Sequence, residues 1–251
     1  MEKLWKVTIA TGIVLGSLCF GVMMIYSMNK SVVITEEHDL EGDGNLKPLL
    51  ASILEERESY EFVVLVNAAH GGDNKGNVVN ELQEKKITLE VGKELERLGE
   101  ESDIGIFLIR QEDTDVSNEN RASLIEEVKP DFVVDLHVNA DALNERTQGT
   151  AVVYNEIFYR PGLTNARAAD IMERSLVTAI EGKALVIFGD SQNRYPLLGL
   201  ITVPSVSIEM GYLTNKQEAD LLKKNSYQKK IALGIFEGIQ KIREEMQENQ
   251  S

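Results

Sequence analysis

The sequence predicts an α/β fold: a mostly parallel twisted sheet with helices on both faces, preceded by an N-terminal transmembrane helix. Three observations carry this. Short β-branched apolar runs, Phe62–Val66 and Phe132–Val134 among them, suit strands buried on both faces. They alternate with amphipathic stretches of helical period, the pattern of right-handed βαβ units. Ahead of them, Val7–Met28 is roughly 22 residues without a charge, enough to cross about 33 Å as a helix.

That apolar run is preceded by Lys3 and Lys6 and followed, soon after Lys30, by Glu36, Glu37 and Asp39. The positive-inside rule therefore puts the N-terminus in the cytoplasm and everything after Lys30 outside the cell membrane. A cleaved signal peptide is the competing reading, but no Ala-x-Ala-type site follows the run. Leu18, directly before Cys19, is too bulky for a lipoprotein site. The expected organisation is an uncleaved membrane anchor over residues 1–30, an acidic stalk over 31–59 and one globular domain over 60–251. Leu46–Arg57 reads as a short helix at the end of the stalk, with Leu49, Leu50, Ile53 and Leu54 on one face. His38, set among acidic residues, reads as solvated.

Composition narrows the function. A net charge of −15 over 251 residues argues against nucleic-acid binding, which needs a basic face. The single cysteine, Cys19, lies in the apolar run, so no intramolecular disulfide forms. The 43% apolar content is that of an ordinary globular core.

Within the domain, the Phe62–Val66 strand breaks into Ala68-Ala69-His70-Gly71-Gly72, which sets an imidazole at the carboxyl end of a strand, where sites in open α/β sheets lie. Taken alone, a structural histidine is the competing reading. A helix follows from about Gln83–Glu84 to Leu98, with Ile87, Val91, Leu95 and Leu98 at core spacing. Glu84, in its first turn, complements the helix dipole or serves as a rigid metal ligand. Ile104–Ile109 is the next strand and ends at Arg110. Asp113, Asp115 and Arg121 follow, with Ser117 or Asn118 capping a helix through Val128. Phe132–Asn139 is a third strand and again ends in a histidine, His137. Gly149–Tyr154 reads as a strand, and Thr164 as the cap of a helix to Ile180. Pro204 and Ser205–Ile208 lead into Glu209-Met210-Gly211, and an amphipathic helix from about Ser226 to Met246 closes the domain.

These segments resemble the zinc-dependent N-acetylmuramoyl-L-alanine amidases of the amidase-3 family over about residues 60–243. Ala69-His70-Gly71-Gly72 is similar to the family's first zinc-histidine turn, and Glu84–Leu89 to its zinc-glutamate helix start. Arg110, Asp113, Asp115 and Arg121 resemble its R-x-x-D-T-D…R segment. Leu136–Ala140 is similar to its second zinc-histidine strand, and Pro204–Asn215 to the segment with its catalytic glutamate. The resemblance implies Zn2+ held by His70, Glu84 and His137, with Glu209 as the catalytic residue and peptidoglycan as the substrate. Two histidines and one glutamate are a common set for a zinc site with a position open for water. Amide hydrolysis further needs a carboxylate that moves a proton, and Glu209 is the well-placed candidate. A serine triad is disfavoured, since no Gly-x-Ser-x-Gly elbow is present.

Three positions depart from the family: Asn67 in place of Asp, Ala69 in place of Gly, and Asp135 in place of Ser. Asp135 shares strand parity with His137. It is therefore expected to supply, from position 135, the histidine-orienting carboxylate lost at position 67; unrelated drift at the two sites is the alternative. The expected function is cleavage between N-acetylmuramic acid and L-alanine. The rival readings are a degenerate peptidoglycan-binding protein of the same fold and a zinc exopeptidase. No second ligand set, as a two-metal exopeptidase would use, is evident.

Overall fold

The computed structural model describes residues 46–156, 162–181, 184–190 and 194–249. The anchor expected over 1–30, most of the stalk and His38 lie outside the described residues. Among the described residues, no helix is long and apolar enough to cross a membrane.

The sheet has six strands: β1 (Phe62–Ala68), β4 (Ile104–Leu108), β5 (Phe132–Asn139), β6 (Thr150–Tyr154), β7 (Ala184–Gly189) and β8 (Ser205–Tyr212). Their order is β4-β1-β5-β8-β6-β7. Four of the five pairings are parallel, and β6 runs antiparallel to β8. The exception has a local cause. Residues 140–149, between β5 and β6, form no helix, so nothing carries the chain back for another parallel strand. A two-strand ribbon, β2 (Val78–Val79) with β3 (Leu82–Gln83), stands apart from the sheet.

Helices cover both faces, because the strands are apolar on both. Even-numbered residues of β1, β5 and β8, such as Val64, Val134 and Ile208, pack in one core with α2 (Glu84–Glu100), α4 (Asn165–Ile180) and α7 (Asn225–Glu248). Odd-numbered Val63, Leu65 and Val133 pack in a second core with α1 (Lys47–Arg57), α3 (Asn118–Val128) and α5 (Pro196–Leu200). Leu46 and Ile53 of the helix expected near 46–57 are buried in that second core, whereas Leu54 is turned outward. The caps follow expectation, since Ser117 accepts from the Asn120 amide and Thr164 from the Arg167 amide. Strand β7 and the short helices α5 and α6 (Lys216–Leu222) were not expected from the periodicity.

The parity that buries Val133 also decides which way the polar residues of the strand ends point. Asn67, Asp135 and Ser207 are register partners across β1, β5 and β8. One step further along, His137 pairs with Glu209. Two polar rows therefore lie side by side at the carboxyl ends of three adjacent parallel strands.

Candidate metal centre

The site begins with the turn after β1. His70, Gly71 and Gly72 all have positive φ, of 63°, 137° and 55°. Such a run is costly for a non-glycine residue and needs support from its surroundings. Five successive carbonyls of the turn find donors. Arg110 Nε gives to Ala68 O at 2.7 Å, Arg110 Nη2 to Ala69 O at 3.1 Å, and Arg121 Nη2 to His70 O at 2.8 Å. The Asn74 amide gives to Gly71 O at 3.0 Å, and Lys85 Nζ to Gly72 O at 2.6 Å. Three of these five bonds come from the arginines of the R-x-x-D-T-D…R segment, both almost fully buried. Burial pushes the Arg110 and Arg121 guanidinium groups down to about 10, so both remain cations.

Held in this way, His70 faces Glu84 at the start of α2, with His70 Nε2 3.1 Å from Glu84 Oε2. On the other side, Glu84 Oε1 lies 3.1 Å from His137 Nδ1. The two imidazole rings meet edge to face with centroids 5.5 Å apart. Glu84 is itself fixed by backbone amides, from Asn77 at 2.8 Å and Val138 at 3.0 Å. Gly76 keeps this corner open, because a Cβ there would lie 2.5 Å from Glu84 Oε2 and from the His70 ring. One ligand atom from each of His70, Glu84 and His137 falls within 4.8 Å of the others.

The far nitrogens of both rings are also engaged. His70 Nδ1 is 2.9 Å from Asn74 Oδ1, an acceptor that can hold the ring proton on Nδ1 when Nε2 binds a cation beside Glu84. His137 Nε2 is 3.1 Å from Asp135 Oδ2, which can likewise hold a proton there and free Nδ1 for a cation. With those facing nitrogens deprotonated, two lone pairs and a carboxylate converge, an arrangement that a cation between them satisfies. The donor set fits zinc.

Asp135 is 1% exposed, and both of its oxygens are occupied. Asn67 Nδ2 donates to Oδ1 at 2.7 Å and Ser207 Oγ to Oδ2 at 2.7 Å. Arg121 Nη1 completes the chain by donating to Asn67 Oδ1. The contact expected from parity between Asp135 and His137 is therefore made.

Without a metal, the charges are balanced by protons. Burial disfavours the Glu84 carboxylate, but hydrogen bonds and charge from His137 and His70 outweigh it and hold this group far below the usual range. Burial would also lower His137, yet the charge and hydrogen bond of Asp135 raise it well above the ordinary value. Glu209, 6% exposed, is pushed up to about 7 by burial, partly offset by His137, while the negative charge of Glu84 adds to the rise. Its Oε1 accepts from the Tyr195 hydroxyl at 2.8 Å.

A cleft of about 440 Å³ is lined by His70, His137, Asn118, Asp135, Arg194 and Tyr195 among others. All four residues singled out in the sequence, His70, Glu84, His137 and Glu209, therefore meet at one sheet edge. Tyr195 was missed. Its only local signal is the Pro196 that starts α5, since its partner lies 14 residues further along the chain.

Comparisons with known proteins point to one family. Residues 64–241 match the family model described as N-acetylmuramoyl-L-alanine amidase. The germination-specific N-acetylmuramoyl-L-alanine amidase of Bacillus subtilis is 28% identical, over 70% of this chain and 78% of its own length. The probable cell wall amidase LytH of Staphylococcus aureus is 27% identical, over 70% of this chain and 56% of its own. The crystal structure of an N-acetylmuramoyl-L-alanine amidase from Clostridium difficile 630 superposes with a TM-score of 0.67 at 25% identity, over 73% of this chain and 97% of that one. With the family model spanning most of its length, this chain belongs to the N-acetylmuramoyl-L-alanine amidase family.

Proposed function

We propose that this chain is a zinc-dependent amidase that hydrolyses the amide between the lactyl group of N-acetylmuramic acid and L-alanine in peptidoglycan. It acts outside the cell, with residues 1–30 as a single-pass membrane anchor, 31–59 as a stalk and 60–251 as the catalytic domain. The observation that carries the chemistry is the meeting of His70, Glu84 and His137, with the buried Glu209 at the register position beside His137 and the two histidines lining a cleft.

Zinc bound by His70, Glu84 and His137 would supply a Lewis acid that acidifies water and polarises the scissile carbonyl. Glu209 takes the proton from the attacking water as the new C–O bond forms at the lactyl carbonyl carbon. It then delivers that proton to the alanine nitrogen as the C–N bond breaks, and the second water proton leaves the new lactyl carboxyl for the amino end or solvent, giving a lactyl carboxylate and a free L-alanine amino end. In the metal-free chain burial already lifts this carboxyl to about 7, toward the operating pH at which an acid–base group works best. Asp135 and Asn74 keep the two imidazoles in the tautomers that face Glu84.

Metal analysis of the full chain, paired with end-group analysis of digested peptidoglycan, tests the reading. One zinc per chain and new L-alanine amino ends are expected. Wall binding without new amino ends would favour the degenerate binding protein. Cleavage confined to free peptides would favour the exopeptidase.

A further inference from the structure

Three buried carboxylates line the two polar rows, and they are satisfied very unequally. Both oxygens of Glu84 take a backbone amide and an imidazole, and both oxygens of Asp135 take side-chain donors. Glu209 differs. Its Oε1 accepts from the Tyr195 hydroxyl at 2.8 Å, while Oε2 is buried without a hydrogen-bond partner among the described residues. An orphaned buried oxygen is costly and calls for an explanation.

Tyr195 is held as firmly as the group it touches. The Asp190 carboxylate accepts from the Arg194 amide at 2.9 Å and from the Tyr195 amide at 2.8 Å, which fixes the backbone just before α5. Pro196 then starts that helix. The phenol ring stands edge-on to His137, with centroids 5.7 Å apart. Nothing else among the described residues donates to the Glu209 carboxylate.

We propose that Tyr195 is a positioning residue for the amide hydrolysis, its hydroxyl clamping Oε1 of Glu209 so that Oε2 alone is presented to the water and to the leaving nitrogen. The inference rests on the amidase reading and adds to it the division of labour between the two oxygens. A hydrogen bond to a carboxylate weakens it as a base, so the clamp helps only if orientation counts for more than basicity. On this account the orphaned oxygen is the one whose partner arrives with the substrate water.

The test uses Tyr195→Phe in the zinc-loaded full chain, which keeps the ring against His137 and removes only the hydroxyl. We expect unchanged zinc content, a kcat about 10- to 100-fold lower, and a KM within about 3-fold. In a Glu209→Gln background the same substitution should cost less than about 3-fold, because the group it orients no longer moves a proton. An unchanged or raised kcat overturns the proposal, as does a loss confined to KM, which would make Tyr195 a substrate-binding group. Loss of zinc overturns it too, since the tyrosine would then act through His137. A crystal structure of Tyr195→Phe decides the matter apart from activity. The Glu209 carboxylate should leave its position or occupy more than one rotamer with His137 unmoved, and a carboxylate unshifted from wild type overturns the clamp. If the wild type cleaves no peptidoglycan, the amidase reading fails while this structural outcome still stands or falls by itself.

Discussion

Asp135 and His137 stand two residues apart on β5, and the carboxylate of the first lies 3.1 Å from Nε2 of the second. The strand itself makes the contact, because residues two apart share a face. Asp135→Asn keeps the shape but removes the charge that stabilises the ring orientation, so zinc affinity should fall about 10- to 100-fold. Chelator competition measures this. The double variant Asn67→Asp with Asp135→Ser moves the carboxylate back across the register pair and should recover most of the loss. If it recovers none, the two positions do not compensate for one another.

The ligand assignment makes a stronger demand. His70→Ala or His137→Ala leaves two protein ligands, too few to hold a catalytic zinc well. Metal content and wall hydrolysis should vanish together in each variant. Full zinc occupancy in either would remove that histidine from the ligand set.

Arg110 should matter for stability more than its place in a motif suggests. It is 2% exposed and donates to the Ala68, Ala69, Lys85 and Glu112 carbonyls. Arg110→Met strands those acceptors and loosens the turn that aims His70. A loss of about 3–5 kcal/mol is expected, read as a lower urea midpoint at unchanged slope. An unchanged midpoint would show that water replaces the guanidinium at no cost.

How much of this was legible in the sequence follows from the range of the forces involved. Strand β1, strand β5 and helix α7 carry strong periodic burial, and sequence patterning finds them. The ends of those strands carry His70 and His137, so two of the three candidate ligands came with them. The five-residue α5 and seven-residue α6 are too short for a period to register. The reversal of β6 was readable in principle from the helix-free link 140–149, since a parallel return needs a crossover. The roles of Arg110, Arg121 and Tyr195 were not readable. Each depends on which backbone carbonyl or carboxylate the fold brings to it across 14 to more than 50 residues.

The membrane anchor is separately testable. Deleting residues 1–30 removes the apolar run and leaves every described residue of the two cores in place. The shortened chain should move from the membrane to the soluble fraction on cell lysis and keep its helical circular dichroism. Retention in the membrane fraction would show that a different segment makes the attachment.

Glu209 gives the last prediction, because its proton ties stability to pH in the metal-free chain. Its carboxyl is raised from an ordinary value of 4.5 to about 7, first by burial. A group whose folded value is raised favours the folded state while protonated. That contribution is fully present below pH 4.5 and is lost as pH climbs to about 7. Above pH 7 the folded chain therefore holds a buried charge that costs on the order of 3 kcal/mol relative to the neutral group. Glu209→Gln removes the charge and keeps the volume. The metal-free variant should be more stable than wild type at pH 8, and the gap should close as pH falls through 7 toward 4.5. Urea unfolding of both proteins at pH 5 and pH 8, with chelator present, measures the difference. A gap of equal size at the two pH values would mean that Glu209 does not titrate in that window. The acid–base role assigned to it would then have lost the property that suits it to the task.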